Sequence, residues 1–312
     1  MFTLTYIAVD IGATNIRVAT GDSDGLHVKS IEQTDTRNGA GGVSKQIIRL
    51  IEDLTDEKPE SIGIGSIGPI DLETGEITNT PNYPFNYIPI SQPLEEYFDV
   101  KTRLVNDCAA AVLGEQRFGA GKGYSSIVYV TISTGLGGGA IVDNHLLMGK
   151  DGNAPEIGHI TINSDSDIKC GCGSYGHWEA YASGKNIPRY AMKLMKSSWR
   201  KSLIADLIGG DLDMLTSKTI YDAAKQGDEV ALGVVAEIGR INAVGFANIT
   251  NVFDPELITV GGSITLNNPS LVLDPIRDNI DKHLINRKPE IMVTPLGEDA
   301  VLIGALALAM KA

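Results

Sequence analysis

The sequence contains few cysteines and no long apolar segment. Three cysteines among 312 residues are too few for a disulfide framework, so we expect a reducing compartment, the cytoplasm. The N-terminus lacks the basic start and apolar core of a signal peptide. The longest apolar run, Val301 to Met310, is about half the length of a membrane span and predicts a buried helix. Secretion and a membrane location are therefore not expected.

Clusters of Lys and Arg are also absent. The formal net charge is −13, whereas nucleic acid binding depends on neutralisation of phosphates by basic side chains. We therefore expect no nucleic acid partner, and the acidic excess is typical of a solvated surface. A Walker-type loop and a Rossmann Gly-x-Gly-x-x-Gly fingerprint are missing too, which argues against P-loop and dinucleotide-binding sites.

The chain is long enough for two domains, and one pattern occurs twice in it. An apolar strand at 6–9 runs into the polar tip Asp10–Asn15 and a second strand at 16–19. A strand at 126–132, a glycine-rich turn at 133–138 and a strand at 139–142 repeat this arrangement. The repetition indicates two related α/β domains, each beginning with a hairpin whose tip faces a shared cleft.

Apolar spacing and turn residues predict the remaining elements. We expect helices at 42–55, 109–116, 228–252 and 299–311, and strands at 61–67, 102–105 and 256–260. Gly233, Gly239 and Gly245 are predicted to mark close helix packing. The predicted domains are 1–116, with the helix of 299–312 packing back on it, and 117–298, which carries a Cys- and His-bearing insertion.

The two hairpin tips would suit a polyphosphate. Glycine allows close backbone approach, so that N–H groups can point at anionic oxygens. Thr14 and Thr134 add hydroxyl donors, and Asp10 is the expected carboxylate partner of Mg²⁺. Either tip alone would be interpreted as an ordinary hairpin, but the pair favours phosphate binding.

Asn106 and Asp107 lie where a predicted strand meets a predicted helix. A carboxylate there can accept a proton from a sugar hydroxyl that attacks phosphorus. The alternative is that Asp107 merely caps the helix. Two loops, 65–71 and 79–82, carry glycine and asparagine groups suited to sugar hydroxyls.

A dense cluster of histidines and cysteines follows. His159, Cys170, Cys172 and His177 lie within 19 positions. Two imidazoles and two thiolates can form a tetrahedral structural zinc site. The alternative is a glycine-rich loop with two free thiols.

These residues resemble the ROK family (repressors, open reading frames and sugar kinases) of the actin-like ATPase superfamily. The resemblance runs from Asp10-Ile11-Gly12-Ala13-Thr14 through Gly261-Gly262 to the last helix. Its most specific parts are Glu156-x-Gly158-His159 and the segment from Cys170 to Glu179. It implies two actin-like (ribonuclease H-like) α/β domains flanking a central cleft, and a cytoplasmic homodimer or homotetramer.

The resemblance also implies ATP-dependent phosphorylation of a hexose, with glucose at the 6-hydroxyl as the first expectation. N-acetylmannosamine and fructose are the alternatives. Asp107 would be the general base. The sugar would be held by Gly68, Asn82, Asn106, Asp107, Glu156, His159 and Glu179. ATP and Mg²⁺ would be held by Asp10, Gly12, Thr14, Asn15, Thr134, Gly135, Gly261 and Gly262.

One position departs from the family pattern. The zinc motif of the family normally has a third cysteine where this chain has His177. Imidazole can replace thiolate on zinc, so the expected set is His159, Cys170, Cys172 and His177. The family also contains sugar-responsive repressors, but these carry an N-terminal helix-turn-helix segment, for which the hairpin beginning at residue 6 leaves no room.

Overall fold

The computed structural model describes residues 4–80 and 83–311 and has the predicted mixed α/β architecture. Its internal contacts divide the chain into two units. The first unit comprises Met1–Tyr129, Gly139–Pro155 and Thr294–Ala312, and the second comprises Val130–Gly138 and Glu156–Val293. The predicted division into 1–116 with 299–312, and 117–298, stays a prediction.

Groups of consecutive strands are followed by groups of helices along the chain. The strands are β1 (Tyr6–Ile11), β2 (Asn15–Asp22), β3 (Gly25–Gln33), β4 (Ser61–Ser66), β5 (Ile70–Asp71), β6 (Glu76–Thr78), β7 (Tyr87–Pro89), β8 (Lys101–Asn106), β9 (Ile127–Ile132), β10 (Leu136–Val142), β11 (His145–Leu146), β12 (Leu257–Gly261) and β13 (Glu290–Val293). The helices are α1 (Gly42–Leu54), α2 (Ser91–Phe98), α3 (Asp107–Arg117), α4 (Glu179–Ala182), α5 (Ile187–Met195), α6 (Leu203–Leu207), α7 (Ser217–Lys225), α8 (Glu229–Phe253), α9 (Ser263–Asn267), α10 (Pro269–Asn279) and α11 (Ala300–Ala309).

Two five-stranded sheets share one topology. The first has the order β3-β2-β1-β4-β8, and the second has the order β11-β10-β9-β12-β13. In the first sheet, β1, β2 and β3 are antiparallel neighbours, while β1, β4 and β8 run parallel. In the second sheet, β10 and β11 are antiparallel and β12 and β13 are parallel. The internal duplication predicted from the repeated hairpin is therefore confirmed in the sheet topology.

The central strands of the first sheet are buried on both faces, and successive side chains along each strand point to opposite faces. Ile7, Val9 and Ile11 of β1 belong to a core cluster that includes residues of α1, such as Ile47. Ala8, between them, faces a second cluster with Leu306 and other residues of α11. The last helix of the chain thus covers one face of the first sheet.

Glycines allow α11 to approach this sheet and α3 closely. A Cβ at Gly63 of β4 would overlap the carbonyl oxygen of Ala305, and a Cβ at Gly304 would overlap that of Ala110 in α3. The hydroxyl of Ser61 donates a hydrogen bond to Ala309 O over 2.6 Å. The helix and the sheet are therefore in backbone contact.

The long helix α8 is apolar enough, by length and composition, to span a membrane, and 56% of its most apolar window is buried. The core helix of a soluble protein passes the same test. The predicted close packing at its glycines is confirmed at two positions: a Cβ at Gly239 would overlap Pro275, and one at Gly245 would overlap Trp178. It is wrong for Gly233, which has open space around it.

Both hairpin turns are shorter than predicted. Asp10 lies in β1 rather than in the tip, and the turn comprises residues 12–14. In the second hairpin β10 already begins at Leu136, so the turn is 133–135. At Gly12 the missing side chain lets the two backbones stay close, since a Cβ there would lie 3.0 Å from Asn15 O.

Candidate active site

Three parallel strands bring the predicted catalytic residues of the first unit together. Asp10 in β1 pairs with Gly65 in β4, and Gly65 pairs with Val105 in β8. Asn106 ends β8, and Asp107 begins α3. Since the carboxyl ends of parallel strands meet at one edge of a sheet, Asp10 and Asp107 lie at the same edge.

The capping alternative for Asp107 is wrong, because the N-cap of α3 is Asn106. The Cys108 N–H donates to Asn106 Oδ1 over 2.9 Å and to Asp107 Oδ1 over 2.7 Å. Asp107 is the first helical residue, and its orientation is fixed by that N–H. Burial raises the pKa of Asp107, whereas the Cys108 hydrogen bonds lower it to a smaller extent. The carboxyl group is thus a stronger base than an exposed aspartate.

Asp10 is also a partly buried carboxyl group, with 15% of its side chain exposed. Burial raises the pKa of Asp10 to about 7, with smaller upward contributions from the charges of Asp107 and Asp299. The Arg17 guanidinium, 3.8 Å from Asp10 Oδ2, acts in the opposite direction. Arg17 also donates to Glu298 O over 2.6 Å. Asp10 is therefore held in a cluster of charges on β2, α3 and the segment before α11.

The turn at 12–14 is fixed by hydrogen bonds to Gly12. Its N–H donates to Asn15 O over 2.9 Å, and its carbonyl accepts from Tyr83 Oη over 2.6 Å. A Cβ at Gly12 would lie 3.0 Å from Asn15 O, so a larger residue would strain the turn. Thr14 and Asn15 are exposed, and the turn therefore presents them to solvent.

Gly68 lies beside Asn106. A Cβ at Gly68 would be 3.5 Å from Asn106 Nδ2 and 3.6 Å from Asn153 Oδ1. The structure thus brings two predicted sugar ligands together, and it adds Asn153, which was not predicted. Asn82, another predicted sugar ligand, lies outside the described residues.

The second unit groups the other predicted nucleotide residues. The Ser133 N–H donates to Gly135 O over 3.0 Å and closes the turn that carries Thr134. Gly261 ends β12, and Gly262 follows at φ +84°, where its missing side chain leaves room for the carbonyl of Ile132, the last residue of β9. Gly262 therefore lies beside the end of β9, which leads into the turn of Thr134 and Gly135.

Glu179 connects this turn with the histidine and cysteine cluster. Its Oε2 accepts from the Leu136 N–H over 3.1 Å, and a Cβ at Gly135 would lie 3.2 Å from the same oxygen. Its Oε1 lies 3.7 Å from Cys170 Sγ. Nε2 of His159 is 3.8 Å from Glu156 Oε2. The predicted sugar ligands Glu156, His159 and Glu179 thus lie near one another in the second unit, because Glu156 approaches His159 and both His159 and Glu179 approach Cys170.

The fit of the cluster to zinc can be tested on its donor atoms. One ligand atom from each of His159, Cys170, Cys172 and His177 lies within 4.8 Å of the others. Nδ1 of His159 is 3.7 Å from Cys170 Sγ, and Nδ1 of His177 is 3.3 Å from Cys172 Sγ. Two nitrogens and two sulfurs at these separations fit a closed tetrahedral site. Burial raises the pKa of the Cys170 thiol to about 11, so the thiol is neutral when no metal is bound. A bound cation would favour the thiolate instead.

Some residues of the site were missed by sequence reasoning. Arg17 could have been found, because a hairpin that turns at 12–14 places residue 17 opposite residue 10. Tyr83 and Asn153 lie in loops, and no local pattern indicates that they contact Gly12 and Ile70.

The geometry agrees with what comparison with known proteins finds. A family model described as "ROK family" matches residues 6–312. The chain belongs to the ROK family. A glucokinase from Pyrobaculum calidifontis is 36% identical over 98% of this chain and 95% of the relative. A glucokinase from Thermotoga maritima is 33% identical over 98% of this chain and 97% of the relative.

A solved ROK structure extends the similarity to the fold. The ROK family glucokinase from Streptomyces griseus, in complex with glucose and AMPPNP, is 33% identical and superposes with a TM-score of 0.82. The match covers 99% of this chain and 100% of that one. The actin-like α/β fold expected from the sequence is therefore confirmed.

Proposed function

We propose that this ROK protein transfers the γ-phosphoryl group of ATP to the 6-hydroxyl of glucose. Glucokinase relatives that match nearly the whole chain at up to 36% identity support the activity. The observation that carries the mechanism is the partly buried carboxyl group of Asp107 at the end of β8, oriented by the Cys108 N–H.

Asp107 is the general base in this proposal. The 6-hydroxyl oxygen attacks the γ-phosphorus while Asp107 takes its proton, and the bond from phosphorus to the β,γ-bridging oxygen breaks to leave ADP. Burial favours this role because it raises the pKa of the carboxyl group and so its basicity.

The sugar is bound by amide, imidazole, carboxylate and backbone groups, which donate hydrogen bonds to its hydroxyls or accept hydrogen bonds from them. In the first unit these are the Asn106 amide and the backbone at Gly68, which lie side by side. In the second unit they are Glu156, His159 and Glu179. Asn82 is proposed as a further sugar ligand from the sequence alone.

ATP is bound by the two hairpin turns and by Gly261-Gly262. Gly12, Thr14, Asn15, Thr134 and Gly135 are the proposed phosphate contacts, and close backbone approach at the glycines favours this. The Asp10 carboxylate is a hard oxygen donor that fits Mg²⁺, held through water. Mg²⁺ would neutralise the charge that develops on the phosphoryl oxygens.

A coupled ADP-release assay tests the proposal. Mg-ATP is supplied with glucose, mannose, fructose, glucosamine or N-acetylmannosamine, and Asp107→Asn is assayed beside wild type. We expect the highest kcat/KM with glucose and no comparable turnover from the variant. A folded wild type that is silent on every sugar would contradict the proposal, and preference for N-acetylmannosamine or fructose would reassign the substrate.

The pH dependence follows from the raised pKa values of two carboxyl groups. Asp107 must be ionised to accept a proton, and Asp10 must be ionised to hold Mg²⁺. Since burial raises the pKa of Asp107 and raises that of Asp10 to about 7, kcat/KM for glucose should fall on acidification well above the ordinary aspartate range. The measurement is a profile from about pH 5 to about pH 9 at constant ionic strength. Samples held at each pH and assayed again at the upper end control for unfolding, and a flat profile would refute the assignment.

We also propose that the cluster of His159, Cys170, Cys172 and His177 binds one structural Zn²⁺. The cation would lock the loop that carries His159 and Glu179, two proposed sugar ligands. The four converging donor atoms support this.

Metal analysis of purified variants tests the zinc site. We expect about one zinc per chain in wild type, loss of zinc in Cys170→Ser and His177→Ala, and retention in His177→Cys, which restores the thiolate usual in the family. Cys108→Ala is the control for zinc content, because that buried cysteine lies outside the cluster. The ligand variants should also melt at lower temperature. Wild type that is zinc-free, folded and thermally unchanged by chelators would overturn the site.

We propose further that the protein works in the cytoplasm as a homodimer or homotetramer without nucleic acid. The net charge of −13 supports the absence of a nucleic acid partner, because binding of nucleic acid depends on neutralisation of many phosphates by Lys and Arg. Light scattering after size exclusion tests the oligomeric state, and a gel shift tests binding to DNA.

A further inference from the structure

Asn153 uses all of its side-chain hydrogen-bonding groups on the backbone. Its Nδ2 donates to Ile70 O over 3.0 Å and to Asp151 O over 3.1 Å. Its Oδ1 accepts from the Ile70 N–H over 2.9 Å. An asparagine amide has two donors and one acceptor oxygen, so little capacity is left for a ligand. The side chain pairs with both polar backbone groups of Ile70, as a neighbouring strand would.

The backbone segment that Asn153 holds, Pro69-Ile70, directly follows Gly68. The Thr78 N–H holds the other side of the segment by donating to Pro69 O over 2.9 Å. A Cβ at Gly68 would lie within 3.6 Å of both Asn106 Nδ2 and Asn153 Oδ1. The backbone at Gly68, the Asn106 amide and the Asn153 amide therefore meet at one place in the first unit.

The loop that carries Asn153 is itself held against this segment. Gly152 has φ +82°, and a Cβ there would lie 2.5 Å from Leu72 Cδ1, directly after β5. A left-handed glycine in van der Waals contact with its neighbour leaves little room for the loop to shift. Close packing of Gly152 against Leu72 thus holds Asn153 in position to form its hydrogen bonds with Ile70.

We infer that Asn153 is a positioning residue for the acceptor sugar, which rests on the proposed function. By holding Ile70, Asn153 fixes the backbone of Gly68 beside the Asn106 amide, and these are two of the groups that bind the sugar. It does not touch the reacting atoms. Asp107 is oriented separately, by the Cys108 N–H, so loosening the Gly68 segment should weaken sugar binding more than it slows the chemical step. ATP contacts lie on other segments and should be spared.

The test is steady-state kinetics of Asn153→Ala and Asn153→Asp with glucose and ATP varied separately. In Asn153→Ala, loss of the two hydrogen bonds to Ile70 and of the one to Asp151 O should raise KM for glucose about tenfold, with kcat within about threefold and KM for ATP unchanged. Asn153→Asp keeps an acceptor for the Ile70 N–H but places a carboxylate oxygen against Ile70 O and Asp151 O, so its KM for glucose should rise at least as much as that of Asn153→Ala. Hydrogen exchange at the Ile70 amide should become faster in Asn153→Ala.

Asn251→Ala is the matched control. Asn251 makes the same kind of backbone clamp, donating to His283 O over 3.0 Å and accepting from the Ile285 N–H over 2.9 Å, but it contacts no proposed site residue there. It should leave KM for glucose unchanged. An unchanged KM for glucose in Asn153→Ala would overturn the inference. So would equal changes in KM for glucose, KM for ATP and kcat together with a lower melting temperature. In either case, turnover by the wild type would still uphold the proposed function. Absence of sugar turnover in wild type would overturn both.

Discussion

Asp107→Asn should lower kcat with glucose by about 10²- to 10⁴-fold, while KM for glucose changes little. The amide cannot accept the proton of the 6-hydroxyl, yet it has the shape of the carboxylate and keeps an oxygen for the Cys108 N–H. Positioning of both substrates should supply the remaining rate. The measurement is the ADP-release assay at saturating Mg-ATP.

Thermal melting of the same variant separates lost chemistry from lost structure. Because burial raises the pKa of Asp107, its ionised form destabilises the native state, and stability is lost as pH rises through the folded-state pKa. Asp107→Asn should therefore melt at or above the wild-type temperature at about pH 8. A loss of activity under tenfold, in protein free of wild-type contamination, would remove Asp107 from the role of base.

Gly304→Ala should destabilise the first unit by about 3 kcal/mol or more. The new methyl group would overlap the carbonyl of Ala110, so that α11 and α3 must separate. The contact is backbone against backbone, and no flexible side chain can yield. We expect the melting temperature to fall by about 5 °C or more, measured by circular dichroism.

Gly233→Ala is the matched control for this substitution. It makes the same change in the interior of a helix, but a Cβ there meets nothing within 4 Å. Alanine loses less backbone entropy on folding, so the melting temperature should stay equal or rise slightly. Equal melting temperatures for both variants would show that α11 does not pack as closely on α3 as the structure has it.

Elements with strong local patterns could be predicted from the sequence. The apolar spacing of Val43, Ile47 and Ile51 gave α1 within one residue at its C-terminal end, and α8 was located to within one residue at both ends. The repeated strand–glycine–strand pattern led to the shared topology of the two sheets. These predictions succeeded because period and turn chemistry are local properties.

Features that depend on tertiary contacts could not be predicted in this way. The edge strand β3 is mostly polar and exposed, so it lacks a clear alternation of apolar and polar residues. The strands β5, β6 and β7 are only two or three residues long, too short to show such an alternation. Helix α3 begins at Asp107, two residues before the predicted start at 109, so its N-cap is Asn106 and not Asp107. Asn153 reaches Ile70 across 83 positions, and nothing near it in sequence indicates that partner.

Phosphoryl transfer to the 6-hydroxyl is tested most directly by phosphorus NMR of the product formed from glucose and Mg-ATP. We expect ADP and glucose 6-phosphate in equal amounts, with Asp107→Asn leaving ATP unreacted on the same time scale. Orthophosphate without a sugar phosphate, or a phosphate ester at another carbon, would contradict transfer to the 6-hydroxyl.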